Sequence, residues 1–150
     1  MRKSFIVLLL ISAVLLMSCS SGGEILDADI FIAAFEDEGL AISKVEYFTE
    51  ENDPNELMGQ RGQYIQKTNF TFTGTEVVEG CTVEIFKKEG DAKNREQYIN
   101  DIIEKMPIMK HYVIRNANYV LRIEKAATTE EVEIFENVFN TLIDGESYNR

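Results

Sequence analysis

The chain has 150 residues, 45% of them hydrophobic, and carries 26 acidic against 15 basic side chains for a formal charge of −11. That excess opposes phosphate backbones and anionic head groups, which disfavours nucleic-acid binding and docking through a polybasic patch. One histidine and two cysteines are too few for the usual zinc sets.

The elements begin with an export signal. Arg2 and Lys3 precede the apolar run "FIVLLLISAVLLM" (5–17), and the small residues Ser18, Cys19 and Ser20 follow it. This is the layout of a secretory signal peptide over 1–18, and the run is shorter than the ~18 residues that argue for a spanning helix. "LMSC" (16–19) resembles the lipobox of bacterial lipoproteins. The resemblance implies cleavage before Cys19 and a diacylglycerol, palmitate-type anchor on its sulfur. Two acyl chains hold a protein on a bilayer where one chain, at ~0.8 kcal/mol per buried CH2, holds it only marginally. Without Arg2 and Lys3, thirteen basic residues face 26 acidic ones, a charge of −13 over 19–150. With Cys19 lipidated, Cys81 has no partner for an internal disulfide, so the fold rests on its hydrophobic core.

Residues 19–24 are the lipidated cysteine and a short flexible spacer, "SSGGE". A single domain is expected over 25–150. Its first helix runs from about Asp27 to Glu38, with Asp27 or Asp29 as cap, Leu26, Ile30, Ala33 and Ala34 as an apolar stripe, Phe31 and Phe35 at the same spacing, and Gly39 as a left-handed stop. "AISKVEYF" (41–48) alternates weakly as a strand. In "QYIQKTNFTF" (63–72), Tyr64, Phe70 and Phe72 are expected on one face, with Ile65, Lys67 and Asn69 opposite. "CTVEIF" (81–86) sets Cys81, Val83 and Ile85 against Thr82, Glu84 and Phe86.

A second helix over about Asp91 to Met106 directs Ala92, Ile99, Ile102, Ile103 and Met106 inward and ends at Pro107. "HYVIRNANYVLRIEK" (111–125) reads as a hairpin turning at Asn116 to Asn118, where asparagine tolerates positive φ. Tyr119, Leu121 and Ile123 face inward, Arg122 and Glu124 outward. Thr128 and Glu131 fit a capping box, Phe135, Val138, Phe139 and Leu142 repeat with helical period, and Gly145 ends the last helix. The fold class is therefore α+β, an antiparallel sheet of four to five strands with three helices in the order α-β-β-β-α-β-β-α, helices on one face.

"NDPNELMGQRGQY" (52–64) is the irregular stretch. It reads as a turn at Asp53-Pro54-Asn55, an apolar plug from Leu57 and Met58, and a bend at Gly59 and Gly62. "GQRG" matches a backbone-clamping GxxG only formally, since it precedes a strand in an acidic chain, and no helix N-terminus follows it to hold a phosphate. The loop is either a structural connection or a ligand or partner loop presenting Asp53, Asn55, Gln60, Arg61, Gln63 and Tyr64. Cys81 and His111 could pair as nucleophile and base, against the plainer reading of Cys81 as a small buried hydrophobe. The acids of "TEENDPNE" (49–56) do not follow an EF-hand spacing. No catalytic residue, metal site or cofactor is assigned.

The segment 52–70 resembles D-P-N-x-L-L-G-R-P-x-Q-Y-x-x-K-x-x-F in small uncharacterised lipoproteins of Gram-positive bacteria. Asp53, Pro54, Asn55, Leu57, Gly59, Gln63, Tyr64, Lys67 and Phe70 fit; Met58, Gln60 and Arg61 depart. "FIAAFEDEGL", "GCTVEIFKKEGDAKNREQYI" and "NANYVLRIEKAATTEEVEIFENVF" extend the likeness over most of the remaining chain. It implies display on the extracytoplasmic face of the cell membrane through acylated Cys19, and no established activity. The expected function is a non-enzymatic binding or interaction module for an envelope protein or small ligand. The alternatives are an envelope enzyme using Cys81 and His111, or a structural accessory subunit of a membrane complex.

Overall fold

A computed structural model describes residues 25–72 and 80–145; the signal, the lipobox with Cys19, and the spacer lie outside the described residues. The elements are α1 (Ala28–Asp37), β1 (Ile42–Tyr47), β2 (Tyr64–Phe72), β3 (Cys81–Phe86), α2 (Glu89–Lys105), a 3-10 turn (Pro107–Met109), β4 (His111–Asn116), β5 (Tyr119–Glu124) and α3 (Thr129–Asp144). The five strands form one sheet in the order β1-β2-β3-β5-β4, every neighbouring pair antiparallel. The α+β order expected from the sequence is the order found.

The expectation that all helices share one face is wrong, and the topology says why. β3 and β4 are both antiparallel to β5, which lies between them, so they run parallel to each other. Two parallel strands cannot be joined by a hairpin; their connection must cross over a face of the sheet. α2 is that crossover. It covers the face opposite α1 and α3, and the domain is a three-layer sandwich of helix, sheet and helix pair.

Each face has its own core. Against α1 and α3, Phe70, Phe72, Cys81, Val83, Ile85, Leu121 and Ile123 pack on Phe31, Phe35, Phe135 and Phe139. Phe35 and Phe135 meet edge to face at 4.8 Å, an arrangement worth about 0.5–1.5 kcal/mol beyond area burial. The buried stripe of α1 is Ala28, Phe31, Ile32 and Phe35; of the other expected positions Leu26 and Ala34 are partly buried against the same core, whereas Ile30 and Ala33 are exposed. The two phenylalanines offer the larger apolar surface and set the helix's rotation.

Against α2 a smaller core gathers Tyr64, Phe86, Ala92, Ile99 and Val120, with Leu57 and Met58 packed on it. Because both faces are covered, every residue of β3 is buried. Arg122 and Glu124, expected to face outward, instead point into the α2 side, where Glu124 is 2% exposed. Met106, expected inward, is exposed at the end of α2.

Local signals behave as their chemistry demands. Thr128 Oγ1 accepts from the Glu131 N–H while the Glu131 carboxylate accepts from the Thr128 N–H, the expected capping box. Gly39 and Gly145 end α1 and α3 at φ 87° and 67°. In the β4–β5 turn the positive φ falls on Ala117 (46°), not on an asparagine. Asn116 and Asn118 serve as ties instead: Asn116 Nδ2 donates to Asn140 and Asp144, and Asn118 Nδ2 to the Phe86 carbonyl.

Candidate functional site

β2 carries the decisive irregularity. Tyr64 pairs with Phe86 and Gln66 with Ile85, so a bulge at Ile65 inserts one residue. A bulge reverses the side on which the preceding residues emerge. Tyr64 therefore leaves the face of Phe70 and Phe72, where the alternation placed it, and joins Lys67 on the α2 face. Ile65 goes to the other core.

That reversal completes a buried hub around Asp53. Its Oδ2 accepts from Tyr64 Oη at 2.6 Å, from the Leu57 N–H at 2.9 Å and from the Met58 N–H at 3.1 Å. Its Oδ1 accepts from Lys67 Nζ at 3.1 Å and from the Asn55 N–H at 3.4 Å. Burial alone would push this carboxyl up, but the hydrogen bonds from Tyr64, Leu57 and Lys67 outweigh it and hold the group well below the usual carboxylate range. Burial and the Asp53 contact push the Tyr64 phenol up. Lys67 also lies 4.4 Å from the Phe48 ring centroid. The loop is thus wound around a carboxylate, with Gly59 and Gly62 taking positive φ (75° and 78°) at its bends and Leu57 and Met58 as the expected plug.

The expected loop residues divide accordingly. Asp53 and Tyr64 do not project: both are buried, at 4% and 0%. Gln60 and Arg61 are exposed, and Gln60 Nε2 donates back to the Glu56 carbonyl. Asn55 and Gln63 line a cleft between the loop, α2 and the sheet. Of the positions that carry the lipoprotein resemblance, Asp53, Tyr64 and Lys67 meet in the hub.

A second polar network, which sequence reading did not single out, forms the cleft floor. Two transverse rows cross the strands: Asn69–Thr82–Arg122 and Lys67–Glu84–Val120. Arg95 reaches down from α2 and grips Glu84 with both arms, Nε to Oε2 at 2.8 Å and Nη2 to Oε1 at 2.7 Å. Burial lowers the Arg95 pKa, but the Glu84 fork more than offsets it and raises it overall. Arg122 Nη2 donates to Thr82 Oγ1 at 3.0 Å, and Thr82 Oγ1 donates to Asn69 Oδ1 at 2.9 Å. Arg122 stands 3.5 Å from Glu84 Oε1. The sequence signal was present: Lys67, Glu84 and Arg122 recur on one face of strands otherwise too apolar to be solvent-facing.

The cleft above this floor has a volume of about 570 Å³. Ile99, Ile102, Ile103, Leu57 and Met109 supply apolar wall; Lys67, Asn69, Arg95, His111 and Arg122 supply polar floor. An apolar wall with a few convergent polar groups in this size range is the composition of small-molecule sites.

The proposed Cys81–His111 pair is not brought together. Cys81 lies in the α1/α3 core, its thiol pushed up to about 12 by burial, while His111 lines the cleft on the opposite face. β5 separates their strands. His111 Nδ1 instead bonds the Met109 carbonyl at 3.0 Å. Among the described residues no three His, Cys, Asp or Glu side chains converge as a metal site, and the Asp53 oxygens are already occupied by protein donors.

No family model matches the chain, and no curated protein or solved structure is significantly similar to it.

Proposed function

We propose that this protein is a membrane-anchored, extracytoplasmic lipoprotein whose domain is a non-enzymatic binding module, with its ligand held in the cleft between α2 and the sheet. One observation carries the binding half of this reading. The α2 face of the sheet, which packing alone would fill with apolar side chains, holds Lys67, Asn69, Thr82, Glu84 and Arg122 beneath a cleft large enough for a small molecule. Burying charged groups costs stability unless they are paired, and replacing such pairs by hydrophobes is often neutral or stabilising. Their placement under an opening gives that cost a use. The anchoring half rests on the Arg2–Lys3 n-region, the apolar run and the Leu16–Cys19 junction.

The test is native isolation of the anchored protein from its own cells, followed by extraction of small molecules. Asn94 is exposed on the cleft wall, so Asn94→Trp fills the opening without touching either core. A compound that accompanies the parent protein and is lost from Asn94→Trp supports the reading; equal recovery from both removes it. Membrane fractionation of Cys19→Ala tests the anchor: the variant should be uncleaved or unanchored and carry no lipid, and unchanged lipid labelling would overturn it.

An accessory subunit of a membrane complex is the second reading. It draws on the exposed apolar residues Tyr98, Met106, Ile108 and Met109 around the end of α2, with Ile108 80% exposed. Crosslinking in intact cells, lost on Ile108→Asp but kept in Asn94→Trp, would favour it.

A further inference from the structure

Between α2 and β4 the chain makes an apolar turn that belongs to neither core. Met106, Pro107, Ile108 and Met109 are exposed in succession, Ile108 at 80%. Apolar residues scattered singly over a surface are ordinary, but four in a row on one turn mark a contact. The carbonyls of this turn do not depend on water. That of Met106 accepts from the Met109 N–H at 2.9 Å, that of Pro107 from the Lys110 N–H at 3.2 Å and that of Ile108 from Lys125 Nζ at 3.2 Å, while that of Met109 bonds His111 Nδ1 at 3.0 Å. A turn facing water can leave its carbonyls to the solvent; one that enters an apolar medium must satisfy them from within the protein.

Resting on the anchored reading above, we propose that the turn over 106–109 is a second membrane contact, its side chains entering the headgroup boundary of the bilayer that holds Cys19. Its size favours lipid over a protein partner. Four partly exposed residues fall well short of the ~800 Å² per partner that a stable protein interface buries. Lys105 and Lys110 bracket the turn and Lys125 stands at its base, and their long stems let the ammonium groups stay among the headgroups while the tip goes deeper. Asp101, Glu104 and the buried Glu124 adjoin these lysines, so apolar burial and not net positive charge drives the contact. That suits a chain whose formal charge is −11.

The tether makes so small a contact effective. The Leu26 N–H donates to Tyr119 Oη at 2.9 Å, which fixes the start of the domain at one end of the β4–β5 hairpin; the turn leads into His111 at the other end. From Cys19 to Ile25 the chain reaches at most about 20 Å, at ~3.3–3.6 Å per residue, enough for the hairpin to lie along the surface with both ends on it. β4 is the outer strand on that side of the sheet. Insertion is then an intramolecular step at high effective concentration, and a turn too weak to bind a membrane alone can hold the domain down.

The test uses the full lipidated chain in phosphatidylcholine nanodiscs, observed by backbone amide NMR with and without a lipid carrying a nitroxide in its acyl chain. The amide signals of Met106, Ile108 and Met109 should be lost to broadening, while those of β1, at the opposite edge of the sheet, persist. Ile108→Asp should restore the turn signals and leave the rest of the spectrum unchanged, because Ile108 supports neither core. Turn signals that persist in the parent beside the nitroxide lipid overturn the inference, and so does broadening that survives Ile108→Asp. Turn signals untouched by that lipid yet shielded from a water-soluble nitroxide place a second copy of the chain on the turn and overturn it too. Mass spectrometry of the same sample reads the anchor separately: acyl chains on Cys19 keep the anchored reading standing whatever the turn does, and their absence removes that reading and the turn contact with it.

Discussion

Lys67 Nζ lies 3.1 Å from Asp53 Oδ1, and both side chains are sealed from solvent, at 3% and 0% exposure. This pair joins a loop to the middle of a strand fourteen residues on. Asp53 also accepts from Tyr64 and two loop amides, so its removal frees several donors at once. Asp53→Leu or Lys67→Met alone should each cost about 3–5 kcal/mol, because the surviving charge stays buried without a partner. The double variant should cost less than the sum of the two. Urea unfolding of the four proteins of this cycle checks it; additive losses would mean the pair does not interact energetically.

The same hub predicts an acid sensitivity with a definite sign. In the folded state Asp53 is held below the ordinary carboxylate range that it has when unfolded, so the folded state favours its charged form. Its contribution is complete above the unfolded value of about 4 and is lost as pH falls below it toward the depressed folded value. Stability measured from pH 7 to pH 2 should therefore fall more steeply for the parent than for Asp53→Asn, which has no proton to take up there. Parallel curves would show that other carboxylates dominate the acid limb.

Tyr64 separates the structural role of its ring from that of its hydroxyl. Tyr64→Phe keeps the packing on Phe86 and removes one donor to Asp53, a loss of about 1–2 kcal/mol. Tyr64→Ala also opens a cavity beneath α2 and should cost about 3–5 kcal/mol. Thermal or urea denaturation distinguishes them. An Ala variant as stable as the parent would return Tyr64 to the loop surface, as a ligand or partner loop would present it.

Cys81 is 0% exposed and its thiol pKa is pushed up to about 12 by burial. Iodoacetamide should label it only at the rate of unfolding, and Cys81→Ala should leave any ligand binding in the cleft intact, since the thiol is on the other face of the sheet. Rapid labelling of the folded protein would revive a reactive-cysteine reading.

How much of this was legible in the residues follows from the range of the interactions. Capping at Thr128–Glu131, the stops at Gly39 and Gly145, and the alternation in Cys81–Phe86 depend on neighbours a few positions apart, and they were read correctly. Of the α1 stripe only Ile30 and Ala33 fall outside the core, because Ile30 and Phe31 are adjacent and both apolar; the contacts of Phe31 with Phe139 and of Phe35 with Phe70 and Phe135 select the phenylalanine side. The ends of the hub were visible as an unusual Asp-Pro-Asn and a following Tyr and Lys, but not their convergence.

By itself the sequence determined the element order, the α+β class and the acidic surface, because helix caps, periodicity and net charge are local or additive properties. Tertiary structure alone decided which face each element covers. The insertion of β5 between β3 and β4 forces α2 across the far side of the sheet, and the one-residue bulge at Ile65 turns Tyr64 to meet Asp53 and Lys67 there. Both are matters of strand pairing between residues distant in sequence, to which no local pattern is sensitive. The loop over 52–64 owes its shape to that pairing, and the cleft it borders exists because α2 was sent to the same face.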